Sequence, residues 1–339
     1  MTFSAQLFTA ASSLLLVLAA VGGRPADPAS ASGWLLVANK GEATLGIIDP
    51  ASGRQLIAIP VEGVTGHEVA ASPDGKTAFV PIYGDSGVGL PGTNGTSITA
   101  IDLQSRKIVA KIDLGHGTRP HCAVFGPKNS LLYVTTELDK DIQLIDPHTY
   151  KLLATIPTGQ TESHMLALSS DGKRGYTANV GPGTVSAIDL ENSKVMAVIP
   201  VAHTTQRISI SADDRWVFTA DQGEPRLAVI DTSSNKLKDW VALPAVAYGT
   251  AATRDGKWLL ITQPSTSKVV VLNLSSMKIA HTFDVLPAPQ EIVIRPDDKR
   301  AYVSCDQSGK VAVLNLENWQ TESAIDAGKG ADGLAWAAR

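Results

Sequence analysis

The chain has 339 residues, 44% of them hydrophobic and 18% charged, with a formal net charge of −4. It is too apolar and too sparsely charged to remain disordered, and long enough for a sizeable core. The absence of basic blocks argues against nucleic acid as a partner, and without an apolar run of about 18 residues no membrane span is expected.

Residues 10–21 form an apolar stretch of signal-sequence length, and Ala29-Ser30-Ala31 supplies the small-x-small pattern that a signal peptidase reads. The expectation is a leader over 1–31, export to the periplasm or the medium, and a single mature domain over 32–339. No cysteine follows the apolar run, which disfavours a lipid anchor. The two cysteines, Cys122 and Cys305, fall in repeats far apart and are expected to stay unpaired.

Self-similarity dominates the rest of the chain. A β-branched run ending in an acid or amide recurs at Asp49, Asp102, Asp146, Asp189, Asp231, Asn273 and Asn315; the first interval is 53 residues and the others are 42 to 44. Corners such as Asp74-Gly75-Lys76, Asp171-Gly172-Lys173 and Asp255-Gly256-Lys257 precede most of these marks, with degenerate copies at Asp213-Asp214-Arg215 and Asp297-Asp298-Lys299. Each unit reads as four short strands separated by Gly, Pro, Asp and Asn; in the third they fall at 121–125, 131–136, 141–146 and 151–156. Four strands per unit at this period predict an all-β, seven-bladed β-propeller of antiparallel blades. Residues 34–39 match a second strand and 333–337 a first strand, so the C-terminal strand is expected to close the first blade.

Tyr133-Val134-Thr135-Thr136, the Ile-Asp-Pro and Ile-Asp-Thr strand ends and Ser-Pro-Asp-Gly-Lys at 72–76 resemble YVTN-type β-propeller repeats over essentially all of 34–339. The resemblance implies the fold; its members include lactonases, surface-layer proteins and domains of periplasmic redox enzymes, so it does not choose a chemistry.

Antiparallel order places fourth-to-first and second-to-third connections on one face, the upper. The recurrent acids and the corners lie on the lower face, where Asp and Asn bond neighbouring amides. Seven residues before each corner, at the upper start of the innermost strand, stand His67, His121, His164, Gln206, Tyr248, Gln290 and, by alignment, Asp332. Three histidines in consecutive blades predict converging imidazoles in one sector of the channel, suited to a divalent transition metal such as Zn or Cu. A metal-free polar pocket and a merely hydrated channel mouth are the competing readings. The next position carries Glu68, Cys122, Met165, Arg207, Gly249, Glu291 and Gly333. Strand alternation makes Cys122 and Met165 packing groups. Glu68 or Glu291 would serve as general base, and Arg207 would orient an anionic group or pair with Glu291 or Asp332. The 53-residue interval marks a Gly-rich insertion over 83–96, a candidate lid that would bring Tyr83 and Asp85 to the pocket.

These residues predict a monomeric, exported, metal-dependent enzyme acting on a small-molecule ligand. Hydrolysis of a lactone by metal-activated water is one option; copper-type oxidation is the other, by analogy with copper-holding propellers. The alternative is a non-catalytic scaffold for a protein or glycan partner. No Gly-x-Ser-x-Gly elbow or Cys-x-x-Cys-His is present, which disfavours a serine hydrolase and covalently attached c-type haem.

Overall fold

A computed structural model describes Met1 and residues 31–339. The leader expected over 1–31 falls almost entirely outside the described residues. The described chain forms seven four-stranded antiparallel sheets. Blades 2 to 7 span residues 70–113, 120–157, 163–200, 208–242, 250–284 and 289–326. Among the described residues no helix is long and apolar enough to cross a membrane.

Blade 1 is completed from both ends of the domain. Its order runs from the inner strand Ala331–Ala338 through Gly33–Asn39 and Thr44–Asp49 to Arg54–Pro60. Trp34 pairs with Ala337 and Leu36 with Ala335, so the last strand covers an edge that would otherwise be bare.

The core lies between blades, where the faces of neighbouring sheets meet. Tyr176, Ile188 and Val217 pack together between blades 4 and 5, and Phe79 meets Phe125 edge-on at 5.6 Å between blades 2 and 3. Third strands are buried on both faces, as in Thr184–Asp189; outermost strands alternate, as in Lys107–Asp113. Both thiols are free and buried, Cys122 at 3% exposure and Cys305 at 0%.

The lower-face acids behave as turn chemistry. Asp146 Oδ1 accepts from the His148 and Thr149 amides, and Asn273 Oδ1 does the same for Ser275 and Ser276. The degenerate corners gain a further role. Asp214 and Asp298 take the left-handed conformation that glycine takes in the other corners (φ 59° and 55°). From there Asp214 accepts from the Ser170 amide, and Asp298 from the Arg254 and Asp255 amides, stapling each corner to the preceding blade.

Candidate functional site

The inner strands begin irregularly at the upper face. Pairing with the second strand shifts register between Pro120 and Ala123, between Ser163 and Met165, and between Pro289 and Ile292. Two residues before the predicted station the backbone is left-handed at Arg119, Glu162, Ala288 and Gly330. A bulge after such a turn re-aims side chains, so both successive positions, and not one in two, contribute to the channel. Hydroxyls of the second strands occupy the gaps. Thr135 Oγ1 accepts from the Cys122 amide and donates to the His164 carbonyl; Thr219 donates to the Arg207 carbonyl, and Thr262 to that of Gln290.

At the first station the three imidazoles do come together. His121 and His164 stack with centroids 3.5 Å apart and planes at 28°, and His67 meets His121 edge-on at 5.7 Å. His121 and His164 are each 2% exposed, and His67 is half-buried. Gln206 Nε2 lies 3.1 Å from His164 Nε2. The Nδ1 atoms of His121 and His164 are buried with no hydrogen-bond partner in the protein. Burial holds the His67 imidazolium down to about 4, and pushes His121 and His164 well below the usual histidine range, so all three rings are neutral at pH 7.

Among the described residues no group of three His, Cys, Asp or Glu side chains has the arrangement of a metal site. The stacking supplies a physical reason. Imidazoles bound tetrahedrally to one ion at about 2.0–2.1 Å place their ring centroids roughly 5 Å apart, farther than the His121–His164 pair.

Tyr83, the end of the blade 2 strand Thr77–Gly84, is fully buried beside the trio. Its ring lies 4.8 Å from His67, 5.1 Å from His121 and 6.0 Å from His164. Its hydroxyl donates to Glu137, and burial together with that carboxylate raises the phenol above its ordinary value.

The second station forms a charged floor. Arg207, 3% exposed, reaches across the ring to Glu68 at 2.7 Å, Asp332 at 3.0 Å and Glu291 at 3.2 Å, bringing together blades 5, 2, 1 and 7. The Glu68 contact is an ion pair without hydrogen-bond alignment, since Oε1 has no hydrogen-bond partner. Burial holds the Glu68 carboxyl well above its usual range, opposed by Arg207. The Tyr248 ring lies under the guanidinium at 5.1 Å. Lys40 pairs with Asp332 at 3.2 Å and Asp306 at 3.4 Å; burial pulls its ammonium down, but these carboxylates raise it on balance. Met165 Sδ lies 3.8 Å from Arg207. Gly333 is required here, because a Cβ would lie 2.5 Å from the His67 carbonyl, to which its own amide donates.

Of the two alternatives for Arg207 the structure shows the pairing with Glu291 and Asp332, to which Glu68 is added, so its guanidinium offers no free fork to an anionic group. One placement differs from the sequence expectation. Asp85 is exposed, and its carboxylate accepts from the Thr93 amide at 2.6 Å; it ties the neck of the insertion and does not reach the pocket. Gln290 is half-buried, and its Nε2 donates to the Ala288 carbonyl at 3.3 Å. Sequence reasoning missed Lys40, Asp306, Arg119 and Glu137, which lie outside the two inner-strand stations; Glu137 and Asp306 each stand two residues after a recurrent hydroxyl, Thr135 and Ser304. It also missed the hydroxyls, although Thr135, Thr177, Thr219, Thr262 and Ser304 recur every 42 or 43 residues.

Residues 126–250, a little over a third of the chain, match the family model described as Cytochrome D1 heme domain. No curated protein matches. Among solved structures, the chain is similar to hydrazine synthase of Kuenenia stuttgartiensis, with a TM-score of 0.68 and 17% identity over 79% of this chain and 88% of that one. It is also similar to a functionally unknown protein from Desulfotomaculum acetoxidans, with a TM-score of 0.74 and 14% identity over 90% and 99% of the respective chains. These matches place the chain among the β-propellers. At such identities the structural likeness is one of fold.

Proposed function

We propose that this propeller is exported to the periplasm or the medium and acts, as a monomer, on a small molecule bound in the upper channel mouth. The observation that carries the reading is the pair of buried, neutral imidazoles with unpartnered Nδ1 atoms. Leaving a buried polar atom unpaired costs about 1–3 kcal/mol, and a ligand that takes up both nitrogens removes that cost.

Neutral imidazole is the form that binds transition metals, so the donor chemistry of His67, His121 and His164 suits Zn or Cu. Taking up one ion separates the stacked pair. Such an ion would supply an activated water for hydrolysis of a lactone or ester, or in the case of copper an oxidation. Glu291, whose side chain is 21% exposed against 5% for Glu68, is the candidate general base.

The matched family is described as a haem domain, but the residues at this mouth do not fit haem. Its two propionates need cations, and both Arg207 and Lys40 are already held by carboxylates. The match also leaves out His67, His121 and Tyr83. The YVTN-type resemblance is compatible with the hydrolytic reading.

Elemental analysis of the protein purified from metal-replete medium tests the proposal. One equivalent of Zn or Cu, lost in His121→Ala, is expected; no bound metal removes the metal-dependent reading. A second reading, a scaffold for a protein or glycan, draws on the other face. Five of the six tryptophans (Trp34, Trp216, Trp258, Trp319 and Trp336) are half-buried at the lower ends of the blades. Partly exposed indoles of this kind suit such a partner.

A further inference from the structure

The blade 2 insertion has a closed neck and a lightly tethered body. Gly84 pairs with Asn94, and a Cβ on Gly95 would lie 1.5 Å from the Ile82 carbonyl, so the two arms touch. Together with the Asp85–Thr93 bond, this makes residues 85–93 a compact loop closed at its neck.

Two groups of blade 3 hold the loop body. Glu137 Oε1 accepts from the Gly89 amide at 3.0 Å, and Arg119 Nη2 donates to the Leu90 carbonyl at 2.7 Å. Arg119 also donates from Nε to Asn94 at 2.7 Å, and its Nη1 lies 3.1 Å from Glu137. Both groups are buried, Glu137 at 1% and Arg119 at 4% exposure. Glu137 is therefore shared between the loop and Tyr83, the residue that walls the imidazoles.

An open cavity of about 530 Å³ lies against the loop body, lined by Leu90, Pro91 and Leu138 as well as Arg119 and Glu137; it stops short of Tyr83, which is joined to it through Glu137. Leu90 is 60% exposed and Leu138 42%, and they flank the buried Arg119–Glu137 pair. The charges on its walls cancel: Arg119 against Glu137, and Lys140 against Glu162.

We propose that residues 85–93 are a lid latched by Glu137 and Arg119, and that its release joins the cavity beside it to the imidazoles past Tyr83 and admits small, uncharged, largely apolar molecules. This rests on the reading of the imidazole pocket as the ligand site and names its substrate class. Arg119 and Glu137 are already paired with each other, so an ion of either sign gains no net attraction from the walls and must still shed its water. A neutral molecule with an apolar body escapes that penalty and gains the two leucines.

Diethyl pyrocarbonate, itself small and uncharged, acylates accessible imidazole nitrogens. Its rate at each histidine, read by peptide mass spectrometry on chelator-treated full-length protein, reports access. In Glu137→Gln, His121 and His164 should react about tenfold faster than in the wild type, because the latch loses its charge-assisted bonds. The exposed His148 and His203 and the remote, half-buried His281 should react at unchanged rates. A second variant, with residues 86–92 replaced by two glycines, should give at least the same acceleration without losing the ring. In these open variants benzyl alcohol should protect His121 and His164, and benzoate should not. Unchanged rates in both variants would overturn the lid, as would an acceleration that His281 shares. Protection by benzoate, or by neither probe, would overturn the neutral substrate class. Because acylation reads access and not metal, failure of the metal-dependent reading leaves these outcomes intact.

Discussion

Replacing Arg207 by methionine tests the charged floor directly, since it removes the cation while retaining most of the side-chain volume. The guanidinium serves Glu68, Asp332 and Glu291 at once, and the side chains of Arg207, Glu68 and Asp332 are 4–5% exposed. Lys40 still neutralises Asp332 in the variant, so the carboxylates left without a cation are Glu68 and Glu291. Removing one partner of a buried ion pair costs about 3–5 kcal/mol. Glu291 keeps 21% of its side chain exposed, which screens its share and places the expected loss near the lower end of that range. With an unfolding entropy of about 0.65 kcal/mol/K for roughly 310 folded residues, the melting temperature should fall by about 5 °C. Glu68→Gln on top of Arg207→Met spares this buried carboxyl the proton uptake that loss of the cation forces on it, and should recover about half of the loss. Scanning calorimetry of the wild type, the single variant and the double variant reads both numbers. A single variant that melts within about 1 °C of the wild type, or a double variant that gains nothing, would refute the reading of this cluster as a desolvated hub.

Deleting 330–339 uncovers the edge of Gly33–Asn39 and removes six paired positions, so thermal unfolding should show a loss of about 5 kcal/mol or more; an unchanged melting temperature would rule out closure by this strand. The turn carboxyls of Asp146, Asp189 and Asp231 are held below 3.8, by the His148 amide, the Asn192 side chain and the Ser233 hydroxyl respectively. Their contribution is therefore present above the unfolded value and lost as the pH falls through the folded one. Asn at all three positions, the residue already used at 273 and 315, should leave neutral stability nearly unchanged and flatten the acid limb of a stability-versus-pH curve; an identical acid limb would count against it. Burial raises both thiols, Cys305 to about 11, so a thiol reagent should find none in the native protein and two in denaturant; a fast-reacting native thiol would contradict the placement of either cysteine.

The architecture was legible because a propeller writes each blade into the sequence separately. The third blade, expected at 121–125, 131–136, 141–146 and 151–156, forms Pro120–Phe125, Leu132–Thr136, Asp141–Ile145 and Leu152–Pro157. Closure was legible for the same reason: a second strand without a first at one end implies a first without a second at the other. The interblade staples were not. Asp214 and Asp298 look like eroded copies of a Gly corner, and only the left-handed backbone together with the neighbouring blade's amides shows that the acid has taken over a bonding task.

The site was half legible. Strand alternation assigns only every second residue to the channel, which selects His67, His121 and His164 and turns Cys122 and Met165 into packing groups; Glu68, Arg207 and Glu291 were legible as single candidates but not as one buried cluster. A left-handed residue followed by a bulge breaks that alternation where the inner strands begin. Adjacent residues then share the channel in two layers: His67 above Glu68, Gln206 above Arg207, and Gln290 above Glu291. The upper layer is uncharged in the sector of blades 2 to 4, where the imidazoles meet Tyr83, and the lower layer holds the ion cluster. A ligand entering the mouth therefore meets neutral donors and acceptors first and cannot reach Arg207 without displacing a carboxylate. In the proposed lid, selection for charge at the rim would fall to the loop and its latch, which sequence periodicity marks only as an interval about ten residues too long.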